Sequence, residues 1–194
     1  MINYHKNSQK IINKNFLIKS FSQIAIILTA FNANANAIPL KISTKNACVL
    51  LEQHGLKANG PWQKNIKTAN NSIDWGCSNF NNNQNTSAPI NFNYTASGDA
   101  KEVQNIEITA HVNDKNYARL ASKKLLDISE IVSKSSIGSS ISSQLKEAII
   151  NGDSFAQQIG ESFINFTQVK VSSGSKESLV MIFNINTTSN NNFQ

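Results

Sequence analysis

Between Ile90 and Val112 two runs of alternating apolar and polar residues flank a short turn, and this pair constrains the fold more than any other feature of the chain. Ile90, Phe92, Tyr94 and Ala96 alternate with Asn91, Asn93 and Thr95. Ile106, Ile108, Ala110 and Val112 alternate with Asn105, Glu107, Thr109 and His111. A period of two puts all apolar members on one face of a strand. Ser97-Gly98-Asp99-Ala100 supplies turn residues, so the spacing predicts a β-hairpin with one buried and one polar face.

Upstream, Thr44 to His54 reads as a helix capped by the Thr44 hydroxyl, with Ala47, Cys48 and Leu51 on the Thr44 face. Gly55 suits a left-handed helix end, Leu56 closes it, and Asn59-Gly60-Pro61 follows as a turn. Ile73, Trp75 and Cys77 alternate as a strand, and the amide-rich stretch Asn79 to Asn85 reads as a mobile loop.

Downstream, Asn113-Asp114 caps a helix whose apolar stripe is Tyr117, Leu120, Ala121, Leu125, Ile128, Ile131 and Val132. Arg119, Lys123, Asp127 and Glu130 lie on its other face, spaced for intrahelical ion pairs. The Ser-rich stretch from Ser133 to Ser143, with Gly138, breaks the pattern. A shorter helix runs from about Ser143 to Asn151 with Leu145, Ala148 and Ile149 inward and Gly152 as its stop.

Phe163 to Val171 is a strand whose alternation slips: Ile164 and Phe166 are in one phase, Val169 and Val171 in the other, as a β-bulge would produce. After Ser172-Ser173-Gly174-Ser175, Leu179, Met181, Phe183 and Ile185 form a final strand face. The order α-β-β-β-α-α-β-β predicts an α+β domain, an antiparallel sheet of about five strands with helices on one face. This element order resembles that of type III secretion chaperones; the resemblance is of order alone and carries no function.

The start of the chain is of another kind. Lys6, Lys10, Lys14 and Lys19 come before any acidic residue, Ile24 to Phe31 is apolar, and Ala35-Asn36-Ala37 follows. That is the order of a secretory signal peptide cut after Ala37, or alternatively after Ala35. The expected organisation is a leader over 1–37, one domain over 38–186 and a disordered polar tail over 187–194. The whole chain carries a formal charge of +6 from 18 basic and 12 acidic residues. Removing the leader's four lysines leaves 14 against 12, a net of +2. The excess charge belongs to export, and with the remaining lysines scattered no nucleic-acid partner is expected. A net of +2 also offers no opposite potential to steer a strongly basic partner. No apolar run after the leader is long enough to span a bilayer.

The exported part has two cysteines, Cys48 and Cys77. An even pair in an oxidising compartment reads as a disulfide. The compartment expected is the periplasm or the exterior of a bacterium. Asn-x-Ser/Thr sequons at Asn70, Asn85, Asn93, Asn165 and Asn186 are then unglycosylated and follow from the abundance of Asn.

Candidate chemistry is sparse. His54 sits in the last turn of a helix, where it complements the dipole. His111, on the polar face of a strand with Glu107 two outward positions away, could be a general base oriented by that carboxylate or simply an exposed strand residue. A Cys on a helix against a sheet that carries a His resembles papain-like cysteine hydrolases, which would make Cys48 the nucleophile and His111 the base. The surroundings Lys45-Asn46-Ala47-Cys48-Val49-Leu50 match no motif of those families, and Cys77 competes for the thiol. No metal or cofactor is expected, because no close-spaced ligand pair, phosphate loop or dinucleotide fingerprint is present.

The expected function is that of an exported, non-enzymatic module that binds an unidentified envelope or secreted protein. An inhibitor, an immunity-type protein and an accessory of an envelope machine are the roles of this kind. Trp62, just after a turn, is either the exposed anchor of such a contact or a core residue beside the disulfide. The alternatives are the Cys48/His111 hydrolase and a carrier of a small apolar ligand.

Overall fold

A computed structural model describes residues 39–67, 72–80, 88–173 and 176–187. The expected leader, most of the Asn-rich loop and residues 188–194 of the expected tail lie outside the described residues.

The hairpin forms as the alternation requires. β3 (Ile90–Gly98) pairs antiparallel with β4 (Val103–Val112), Ile90 opposite Val112 and Tyr94 opposite Ile108. Tyr94, Ala96, Ile106, Ile108, Ala110 and Val112 are all fully buried. The Asp99 carboxylate closes the turn by accepting from the backbone N–H groups of Lys101 and Glu102.

Around this hairpin lies one antiparallel sheet of seven strands, in the order β1-β2-β3-β4-β7-β6-β5. The strands are β1 (Gln63–Lys67), β2 (Ser72–Ser78), β5 (Phe155–Ile159), β6 (Ser162–Ser173) and β7 (Lys176–Thr187), besides the hairpin. The α+β class is as expected, but the strands among the described residues number seven instead of five. The additional two, β1 and β5, are the edges of the sheet. Gln-Lys-Asn-Ile-Lys has one apolar residue, and in Phe-Ala-Gln-Gln-Ile the two glutamines interrupt any apolar period; an edge strand is held largely by backbone pairing along one side. Thr187, expected to begin the tail, is buried and is the last residue of β7.

Among the described residues, three α-helices cover one face. α1 (Thr44–Val49) packs over β2, α2 (Ala118–Ile137) over β4 and β7, and α3 (Ser143–Asn151) over β5 and β6. One cluster of buried side chains joins them to the sheet, including Leu51, Leu125, Ile128, Leu145, Ile149, Phe166 and Phe183. α3 matches its expected bounds, with Leu145, Ala148 and Ile149 buried and Gly152 left-handed at φ 78°.

The other helices need correction. The segment expected as one helix to His54 divides into α1 and a single 3-10 turn, Glu52–His54. Ser43, not Thr44, is the cap: its Oγ accepts from the Asn46 N–H at 3.2 Å. Gly55 does take the left-handed conformation (φ 79°) with Leu56 buried behind it.

α2 does not stop at Val132; it runs through the serines to Ile137 and ends at Gly138, φ 74°. Four of the nine buried residues of α2 are serines: Ser122, Ser129, Ser133 and Ser136 are nearly inaccessible. Two of their hydroxyls find carbonyls nearby, Ser136 Oγ donating to Val132 O (2.6 Å) and Ser133 Oγ to Ser139 O (2.7 Å). A serine satisfied this way is tolerated inside a helix. Tyr117 and Leu120, expected inward, are instead exposed. Glu130 pairs with Lys134 at 3.1 Å and with Lys146 of α3 at 3.7 Å, not with the residues expected.

Cys48 of α1 and Cys77 of β2 lie at disulfide distance, their Cα atoms 5.7 Å apart. The pair ties the first helix to the helix-covered face of the sheet, where Trp75 shares the register parity of Cys77.

Candidate functional site

The register divides the sheet cleanly. Residues in phase with Ile106, Ile108, Phe183 and Ile185 face the helices. Those in phase with Glu107, Thr109, Ile182 and Asn184 point to the other face, over which no helix among the described residues packs.

That second face changes character across its width. Toward β2 and β3 it is polar and closed: Ser78, Asn93, Thr95 and Ser97 are each less than a tenth exposed. At its centre, Glu107 of β4 sits between Thr95 of β3 and Asn184 of β7. The Thr109 hydroxyl donates to Glu107 Oε1 at 3.2 Å. Burial pushes the Glu107 carboxyl above the usual carboxylate range, and the Thr109 hydrogen bond offsets part of that rise. Asn184 Nδ2 donates to Asn105 Oδ1 at 2.6 Å.

Toward β6 and β7 the face becomes open and apolar. Val169 lies directly opposite Val180, and Ile182 and Val171 flank that pair in the same phase. Val171 is 43% exposed and the other three are half-buried. His111 borders this corner, between Asn91 of β3 and Val180 of β7, and burial lowers its pKa.

The slip in alternation along β6 therefore has another cause than the bulge expected. β6 pairs with β7 in continuous register from Ser162 to Ser173. Ile164 and Phe166 face the helices, while Val169 and Val171 occupy the uncovered side. β7 carries the matching signal, since Leu-Val-Met-Ile-Phe from Leu179 to Phe183 is apolar at every position. Sequence reasoning put the phase of Val169 and Val171 down to a bulge and did not name Val180 or Ile182, because it read one face of each strand at a time.

The residues singled out from sequence lie apart. Cys48 is bonded to Cys77 on the helix-covered side, and His111 projects from the opposite side of the sheet. Glu107 hydrogen-bonds Thr109, two residues short of His111, so the carboxylate does not orient the imidazole. His54 is exposed at the end of its 3-10 turn. Trp62 is partly buried against the core, and its indole N–H donates to the Asp99 carbonyl at 2.9 Å, in the β3–β4 turn.

Among the described residues are two open grooves of about 450 and 460 Å³. One lies against α1, lined by Ile42, Val49 and Leu50. The other lies between the start of α2 and the end of α3, lined by Arg119, Ile150 and Leu179. No helix among the described residues is long and apolar enough to cross a membrane. Comparison with known proteins returns no family model, no curated protein and no solved structure that matches the chain.

Proposed function

We propose that the chain is an exported, non-enzymatic binding module that docks a partner protein on the uncovered face of its sheet. The observation that carries this reading is the corner formed by Val169, Val171, Val180 and Ile182, four β-branched side chains gathered on a face over which no helix among the described residues packs. Apolar side chains clustered on an uncovered surface, rimmed by hydrogen-bonding groups, mark contact with another macromolecule. Thr109, Thr167 and His111 supply such a rim. The partner that fits presents an apolar spot with hydrogen-bonding groups around it and little net charge. The disulfide supports an oxidising compartment for both.

The hydrolase alternative has less in its favour, because Cys48 and His111 stand on opposite sides of the sheet. So has the carrier, because the space between helices and sheet is filled by side chains such as Leu125, Ile128, Leu145 and Phe183.

The test is a photoactivated cross-linker placed at Val171 and, as control, at Lys123 on the exposed side of α2, in chain exported by a bacterial host. The expected result is one discrete protein adduct from position 171 and none from 123, lost when Ile182→Asp is added without loss of folding. Equal labelling from both positions would refute the docking face.

A further inference from the structure

The two edges of the sheet are built differently. β1 carries Lys64 and Lys67 among its five residues, and lysines on an edge strand discourage pairing with another chain. β5, Phe155-Ala156-Gln157-Gln158-Ile159, carries no charge and no proline. No strand among the described residues pairs with its outer side. Ala156 and Gln158 are exposed there.

The backbone of β5 is also self-complementary. A two-residue loop, with Gly160 left-handed at φ 59°, joins Ile159 to its partner Ser162 of β6. Such a loop closes on a hydrogen-bonded pair, so residues 155, 157 and 159 direct their N–H and C=O groups at β6. Ala156 and Gln158 direct theirs outward. A second copy laid antiparallel about a two-fold axis through Gln157 then places Ala156 opposite the second copy's Gln158. Each such pair exchanges both of its backbone hydrogen bonds, and symmetry repeats it.

The side chains agree with that register. It sets Phe155 opposite the other copy's Ile159 on the helix-covered face, and both are only partly buried in one copy. It also brings the two Gln157 residues together as a non-hydrogen-bonded pair, Cα atoms about 4.5 Å apart. Gln157 Oε1 is buried and has no hydrogen-bond partner among the described residues of a single copy. An amide opposite an identical amide can supply the missing donor.

We propose that β5 is a homodimerisation edge, on which a second copy of this chain continues the sheet through an antiparallel β5–β5 contact centred on Gln157. The surface is separate from the uncovered face and does not depend on it. Asp153 and Glu161 flank β5, and in this register Asp153 of each copy comes opposite Glu161 of the other, which weakens the contact at low ionic strength. The contact is small, so affinity belongs to the weak class, with dissociation constants on the order of 10–100 µM.

The experiment is sedimentation equilibrium of the oxidised chain across that concentration range, at low and at moderate salt. A monomer–dimer equilibrium that tightens with salt is expected. Ala156→Lys with Gln158→Lys puts lysines opposite lysines and is expected to leave only monomer, with an unchanged thermal melt because both positions are exposed. Ala156→Glu with Gln158→Glu is expected to do the same, and an equimolar mixture of the two variants to restore dimers. A chain that stays monomeric through the range, or a dimer indifferent to both variants, would overturn the proposal.

Discussion

Glu107 and Asn184 stand directly opposite each other on the uncovered face, one from β4 and one from β7. Asn184 Oδ1 is buried there and accepts no hydrogen bond among the described residues. A carboxylate facing a carbonyl oxygen offers acceptors to an acceptor, and the raised Glu107 pKa reflects the burial of that charge. With the folded pKa above the unfolded value, the penalty is absent below the usual carboxylate range and fully present once pH exceeds the folded pKa. Glu107→Gln removes the charge and supplies a donor. It is expected to stabilise the protein at pH 7 by roughly 1 kcal/mol, the scale of one satisfied hydrogen bond. The gain should shrink as pH falls toward 4.5, which urea denaturation at several pH values measures.

His111 has the opposite sign of pH dependence. Burial beside Val180 lowers its pKa from 6.5, so the folded state prefers the neutral ring. Above about 6.5 it imposes no penalty, and as pH falls from there through the folded pKa stability is lost. His111→Gln should flatten that part of the stability profile and leave the neutral-pH value within about 0.5 kcal/mol. A His111 ring titration followed by NMR should give a midpoint below 6.5.

The disulfide closes a loop between residues 29 apart. The chain-entropy model gives about 3.5 kcal/mol for that length. Cys48→Ser with Cys77→Ser is expected to lower the unfolding free energy by that order, read from the denaturant midpoint. Thiol titration of the exported, unreduced protein should find no free thiol, which would also remove Cys48 as a nucleophile.

Tyr94 joins the hairpin to α1: its hydroxyl donates to the Ala47 carbonyl at 2.7 Å from a fully buried position. Burial raises its pKa well above the ordinary tyrosine value, so it remains a donor at all physiological pH. Tyr94→Phe leaves that carbonyl with only the longer 3.4 Å bond from the Leu50 N–H. A loss of about 1 kcal/mol is expected, with amide exchange increased most in α1.

Gly76 of β2 has no room for a side chain. A Cβ would run into the Ala96 carbonyl oxygen and lie 2.8 Å from Ile66 Cδ1. The carbonyl belongs to the paired strand β3 and cannot yield without breaking the ladder. Gly76→Ala is therefore expected to cost more than about 2 kcal/mol, well beyond the cost of overpacking a flexible side chain. A thermal melt against wild type checks this.

Which parts of the fold were legible follows from what fixes each part. The inner faces of β3, β4 and β7 and the whole of α3 are set by burial against one hydrophobic layer, and burial leaves a period in the sequence. The edges β1 and β5 and the serine-lined end of α2 leave little: in β5 the period of Phe155 and Ile159 is interrupted by Gln157. An edge strand is fixed by backbone bonds to a neighbour, and Ser136 and Ser133 by the carbonyls of Val132 and Ser139, which come into reach only once the helix and the turn after it have formed. The candidate face was half legible. The phase slip at Val169 and the unbroken run from Leu179 to Phe183 were visible as anomalies, but a single strand cannot reveal that its anomaly meets its neighbour's.

The sequence by itself determined the α+β class, the central hairpin, α3 and the pairing of the only two cysteines, because each depends on local spacing or on counting. Only the tertiary structure decided that Val169 and Val171 stand beside Val180 and Ile182, that Glu107 faces Asn184, and that Cys48 and His111 lie on opposite sides of the sheet. Those relations depend on strand order and register, which arise from long-range backbone pairing and carry no local signature in the chain.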